Sequence, residues 1–165
     1  MKNTTPLSRR HLLWVGATLW AGDRALAAPA APPRTLPLAA SLANELALAL
    51  KQGQALVVMV SLMDCPFCQI VRQSYLGPMH AQQGLPVVQV DMHSTQVLQG
   101  FDGARRSHEA MRRAWGVRIA PTVLFFGHGG KEVAPRLVGA SIPDFYGAYL
   151  DQRLQQAQVA IRQQP

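Results

Sequence analysis

Cys65 and Cys68 are the only two cysteines of the 165-residue chain, and they stand three positions apart in Leu62-Met63-Asp64-Cys65-Pro66-Phe67-Cys68-Gln69. Ahead of them runs Ala55-Leu56-Val57-Val58-Met59-Val60, an apolar, β-branched stretch that reads as a buried strand. Behind them, Ile70 to Leu76 reads as a helix. This order puts the first thiol at a helix N-terminus, where unpaired backbone N–H groups and the helix dipole favour a thiolate. The thiolate is the nucleophile of disulfide exchange, whereas a free cysteine, with a pKa of about 8.5, is mostly protonated at neutral pH. Pro66 suits the first helical turn, where its missing N–H costs nothing.

Other chemistries for the pair stay open at this level. A structural disulfide closing so short a loop would constrain the unfolded chain little, so it would be a poor staple. A closed zinc site needs four ligands, and no second Cys-x-x-Cys exists. His80, His93, His108 and His128 are scattered without ligand spacing and read as surface or loop residues, so no metal is expected. Asp64 either raises the Cys65 pKa by like-charge repulsion or caps the helix. Phe67, inside the loop, reads as partner-docking surface, and Trp115 as core.

The N-terminus reads as an export signal over residues 1–27. Lys2, Arg9 and Arg10 precede a short apolar run, Leu12 to Ala21, and Ala25-Leu26-Ala27 offers small residues for cleavage. Ser8-Arg9-Arg10-His11-Leu12-Leu13 resembles a twin-arginine signal. The apolar run is about half the roughly 20 residues of a bilayer span, so no stable span is expected. Asp23 and Arg24 beside the cleavage site keep an uncleaved anchor open as the alternative. Cleavage would remove Lys2, Arg9, Arg10, Arg24 and Asp23, so much of the formal +7 charge belongs to the signal. Arg105, Arg106, Arg112 and Arg113 form the remaining basic cluster. Without aromatic interleaving they read as a solvated helix face, and no nucleic-acid partner is expected.

The positioning elements follow in order. Residues 28–37, rich in Ala and Pro, read as a linker, and 38–160 as one domain; 48% hydrophobic and 15% charged residues suit a globular chain. Ser41 N-caps a first helix over 42–50, with Gly53 near its stop. Strand 54–62 and the helix from about Pro66 come next. Gly77-Pro78 should bend or interrupt that helix, and Gly84 ends it. A second strand spans 85–92, and 93–104 reads as a turn-rich insertion or small hairpin. Ser107 to Trp115 is a helix stopped by Gly116, and 117–126 a strand entered through Pro121. A turn at 128–131 leads into 132–138, where Pro135 marks an edge strand or a bulge. Ser141 caps a last helix towards residue 160. The order implies a mixed sheet, with parallel strands joined by crossovers and a final antiparallel hairpin.

With Cys65-Pro66-Phe67-Cys68 after the first core strand, Ala120-Pro121-Thr122 entering a later one and Val138-Gly139-Ala140 before the last helix, the chain resembles the thioredoxin superfamily over about residues 38–160. The resemblance implies an α/β fold, a central mixed sheet of four to five strands flanked by helices. It implies a thiol:disulfide oxidoreductase in which Cys65 attacks, Cys68 resolves, and the two form a redox-active disulfide with no further cofactor. Ala120 and Pro121 would face that disulfide, Pro121 as the family's cis-proline holding the partner chain; Asp64, Pro66 and Phe67 would complete the surroundings. Three departures are visible. Asp64 replaces the tryptophan of cytoplasmic thioredoxins, Met59 replaces their buried acid, and Pro66-Phe67 replaces Gly-Pro. The chain is similar to small periplasmic thioredoxin-related proteins, which implies disulfide- or dithiol-containing exported partners and a membrane electron donor. Reductant is the expected direction; a disulfide-forming oxidant, or a partner-binding or metal-carrier module without turnover, are the alternatives.

Overall fold

The computed structural model describes Met1 and residues 35–140 and 143–163. The chain divides into two compact units, Met1–Ala31 and Pro32–Pro165, and the fold described here is that of the second. The expected signal over 1–27, most of the linker and the Ser141 cap lie outside the described residues.

Ser41 accepts the Asn44 N–H and starts α1 (Leu42–Lys51), which buries Leu42, Leu46 and Ala49. The next element, β1 (Leu56–Ser61), is buried at every position. Its side chains alternate between two cores: Val57 and Met59 face one side of the sheet, Leu56, Val58 and Val60 the other. Burial on both faces is why this strand reads as an unbroken apolar run rather than an alternating one.

After β1 come α2 (Pro66–Ile70), a π-helical segment Val71–Leu76 and α3 (Gly77–Gln83). The interruption expected at Gly77-Pro78 takes the form of this π segment, and the helical path continues. Gly77 donates its N–H to the Arg72 carbonyl, five residues back. The wider ladder shifts the hydrogen-bond register just before Pro78, which has no N–H to give. Gly84, in the left-handed conformation, ends the run.

Strand β2 (Val87–Asp91) runs parallel to β1. The insertion is a hairpin, β3 (Val97–Gln99) with β4 (Arg105–Ser107), forming a separate two-stranded sheet. Asp102 and Arg106 pair across its tip. Then come α4 (His108–Ala114), N-capped by Ser107, and β5 (Thr122–Phe126), antiparallel to β1. The expected strand 117–126 is therefore short at its start: residues 117–121 form a loop, and the ladder begins after Pro121, which has no N–H to donate. A 3₁₀ turn, His128–Gly130, leads to β6 (Glu132–Val138). Pro135 sits there both on an edge strand and beside register shifts in the β5–β6 ladder. The last element is α5 (Pro143–Gln163). The sheet order is β2-β1-β5-β6. α5 and α2 cover the face with Met59 and Phe125, while α1 and α4 cover the face with Val58 and Phe126.

Two readings of side chains need correction. The four arginines do not share a helix face. Arg105 and Arg106 lie on β4, whereas Arg112 and Arg113 lie on α4, where Arg112 donates to the Met92 and Val117 carbonyls and Arg113 pairs with Glu109. His108 is not a surface histidine: it is 0% exposed, and its Nδ1 accepts the Asp91 N–H at 3.2 Å. The first residue of a helix packed beneath a sheet edge has nowhere else to point. Trp115 packs as expected, its ring tilted against Phe126 with centroids 5.2 Å apart.

Candidate active site

The C-terminal end of β1 delivers Ser61 into the loop Leu62-Met63-Asp64, and the loop delivers Cys65 to the start of α2. Cys65 is itself the N-cap residue: its backbone is extended, Pro66 follows at N1, and its Sγ accepts the Cys68 N–H at 3.2 Å. An N-cap normally offers a side-chain oxygen to the orphan N–H groups of the first turn. Here sulfur takes that place, so a Cys65 thiolate would receive a charge-assisted bond and the positive end of the helix dipole. Because Cys65 holds the cap, Asp64 does not, which removes the capping alternative. Asp64 stands one residue earlier, exposed, with a φ of 57°. Asp is among the few residues that tolerate that left-handed conformation.

Cys65 and Cys68 are joined at disulfide distance, with Cα atoms 5.2 Å apart. Their environments differ. Cys65 is part-exposed, whereas Cys68 is 0% exposed and belongs to the core containing Met59, Val71 and Leu76. A partner disulfide approaching from solvent therefore meets Cys65 first, and Cys68 is reachable only through it.

Ala120 packs against the same core as the pair. The Ala120–Pro121 peptide bond is cis, Pro121 is buried, and its carbonyl accepts the Gly139 N–H at 2.8 Å. Thr122 Oγ1 donates to the Ile119 carbonyl at 2.7 Å and fixes the turn from the other side. Around these buried parts stand exposed apolar side chains: Met63 is 76% exposed, Phe67 50% and Ile119 54%.

Met59 lies beneath the pair with no exposure, so the core offers Cys68 no carboxylate from that strand. The titratable groups of this core among the described residues are Tyr75 and Tyr146, with ring centroids 5.1 Å apart. Burial, and then Tyr75, push the Tyr146 hydroxyl well above the usual tyrosine range, so it does not act as a base. No three His, Cys, Asp or Glu side chains gather into a metal-binding group among the described residues.

Sequence reasoning passed over one cluster beside the loop. Gln89, buried in β2, accepts from Arg72 Nε at 2.7 Å and from Ser61 Oγ at 3.3 Å, and donates to the Leu36 carbonyl at 3.0 Å. Its backbone pairs with Pro37 and Ala39. The last residues of the Ala/Pro stretch thus form a strap along the β2 edge. The signal was one glutamine inside the apolar run Val87-Val88-Gln89-Val90.

Comparison with known proteins agrees with this architecture. The family model of the thioredoxin-like domain matches residues 42–154. Among solved structures, thioredoxin from Fasciola hepatica superposes with a TM-score of 0.50 at 20% identity, covering 74% of this chain and 99% of that one. Mitochondrial thioredoxin 3 from Saccharomyces cerevisiae gives 0.48 at 18% identity, covering 73% and 93%. The periplasmic thioredoxin SoxS from Paracoccus pantotrophus gives 0.42 at 21%, covering 63% and 99%. No curated protein sequence matches the chain significantly. With the family model spanning more than half its length, the chain belongs to the thioredoxin-like domain family.

Proposed function

We propose that the protein is an exported thiol:disulfide oxidoreductase working in the periplasm, with Cys65 as nucleophile and Cys68 as resolving thiol. The observation that carries this reading is the placement of Cys65 Sγ as the N-cap of α2, part-exposed, with Cys68 buried behind it. In the reduced protein the Cys65 thiolate attacks one sulfur of a partner disulfide and expels the other as a thiolate. The Cys68 sulfur then attacks Cys65 Sγ, its proton passing to the partner's second sulfur as that sulfur leaves, which releases the partner's second thiol and leaves the Cys65–Cys68 disulfide. Two electrons have moved from protein to partner. A dithiol donor at the membrane returns them.

Met63, Phe67 and Ile119 supply an apolar surface around the sulfurs for polypeptide partners, with Ala120 and Pro121 as the backbone beside which the partner lies. Asp64 favours the reducing direction. Its carboxylate next to Cys65 disfavours the thiolate, and a less stabilised reduced form is a stronger reductant. Residues 1–27 supply export of the domain over 38–160, and among the described residues no helix is long and apolar enough to cross a membrane.

The test is insulin-disulfide reduction and partner trapping with two variants. Cys65→Ser should abolish reduction, and Cys68→Ser should accumulate mixed disulfides with partner proteins. Full activity in Cys65→Ser would overturn the assignment. The equilibrium reduction potential settles direction: a value near −270 mV marks a reductant and one near −120 mV an oxidant.

A further inference from the structure

Beside the redox loop lies a cavity of about 480 Å³, lined by Met63, Asp64, Gln69, Arg72, Gln89 and Asp91 and walled on one side by the strap at Thr35, Leu36 and Leu38. Cys65, Gln69 and Arg72 follow at i, i+4 and i+7, which places them along one side of the helix. Helical side chains lean towards the N-terminus, so the Arg72 head group reaches back towards the Cys65 end.

Arg72 is held in a particular way. Its Nε donates to buried Gln89, and its two terminal NH₂ groups make no hydrogen bond or ion pair among the described residues. A guanidinium fixed at Nε presents those groups as a fork suited to a carboxylate. Asp64 and Asp91 line the same cavity without pairing with Arg72. Asp91 Oδ1 accepts the His93 and Ser94 N–H groups, which fixes that carboxylate in place.

One cation against two carboxylates disfavours a simple anion. It suits a group that carries a carboxylate and an ammonium together. We propose that this cavity is a subsite for the α-amino-acid head of a small disulfide of the cystine class. Arg72 takes its carboxylate, and Asp64 and Asp91 its ammonium, and because Asp64 immediately precedes Cys65 in the loop this brings the nearer sulfur towards Cys65. The proposal rests on Cys65 being the nucleophile. The chemistry balances: the Cys65 thiolate and one cystine sulfur form a mixed disulfide as one cysteine leaves. Cys68 then displaces the second cysteine, and the protein dithiol becomes a disulfide. Two electrons pass to cystine, whose two sulfurs leave as thiols.

The test measures reduction of cystine, cystine dimethyl ester and cystamine by the reduced full-length protein, each normalised to its rate with dithiothreitol, with insulin as control. The ester lacks the charged carboxylates, and cystamine has none. Cystine should be favoured over both by about tenfold, the scale of one charge-assisted hydrogen-bonded pair. Arg72→Gln should erase the preference and leave insulin reduction unchanged, while Arg72→Lys should restore part of it. Equal normalised rates for the three small disulfides in the wild type overturn the subsite, and decide the matter even if Arg72→Gln fails to fold. A preference that survives Arg72→Gln, or a folded variant that loses insulin and cystine reduction alike, also overturns it. Failure of the wild type to reduce any disulfide, insulin included, overturns instead the nucleophile on which the subsite depends.

Discussion

Two opposing influences act on Cys65: the Cys68 N–H donated to its sulfur, and the carboxylate carried by the preceding residue. Asp64→Asn separates charge from backbone, because Asn tolerates the left-handed conformation as Asp does. Between exposed charges on neighbouring residues water screens the repulsion to about 1 kcal/mol or less. The variant should therefore make Cys65 more reactive at a given pH and the couple slightly more oxidising, as read by iodoacetamide alkylation against pH. An unchanged alkylation profile would remove Asp64 from the account of direction. At this scale the sequence was informative where chemistry is local. Cys65, Pro66 and Cys68 are neighbours in the chain, so spacing alone places sulfur on a helix start. Gln89 and Arg72 are 17 residues apart and meet only because β2 lies beside β1, which no local pattern announces.

At the level of elements, the hairpin insertion is tied to the main sheet through Phe101, whose ring packs tilted against Phe126 with centroids 4.7 Å apart. The turn between β5 and β6 passes over the same ring. A Cβ at Gly130 would lie 2.6 Å from Phe101 Cβ and Cγ, whereas one at Gly129 would meet nothing, and both glycines have positive φ, 67° and 66°. Alanine at either position takes on the left-handed backbone cost of about 1–2 kcal/mol. Only Gly130→Ala adds the overpacking cost, typically about 1–3 kcal/mol. Urea unfolding of the two variants should therefore differ by that second amount; equal losses would mean that the insertion does not press on this turn. Two departures from expectation trace to proline. Pro78 is met by a π-helical segment because a one-residue shift of the ladder absorbs a missing donor at low cost. Pro121 delays the start of β5, although the apolar run begins at Val117, since hydropathy registers burial and not hydrogen bonding.

Across the whole molecule, the order of strands and helices was legible because the buried strands are apolar runs, interrupted in β2 by Gln89, with Gly, Pro or a cap nearby. The burial of a single polar residue was not. His108 opens α4 where α4 meets the end of β2, and a one-dimensional pattern cannot tell that junction from an exposed helix start. Its burial gives global stability a pH dependence. Desolvation pushes its pKa down from 6.5, outweighing the opposing influence of the Ala39 carbonyl and the Asp91 charge. The folded state therefore holds the neutral ring, and the unfolded chain binds the proton first as pH falls. Stability conferred by the neutral form is complete above the unfolded value of about 6.5 and is lost on acidification from there down to the lower folded value. Denaturation free energies measured from pH 7.5 to pH 5 should decline through this window, with a slope of at most about 1.4 kcal/mol per pH unit for one proton. His108→Gln keeps a polar group facing the Asp91 N–H but cannot titrate, so whatever its absolute stability, its profile should be flatter over the same range. A wild-type profile already flat between pH 6.5 and 5, or a slope unchanged in the variant, would show that His108 does not govern the acid limb of the stability curve.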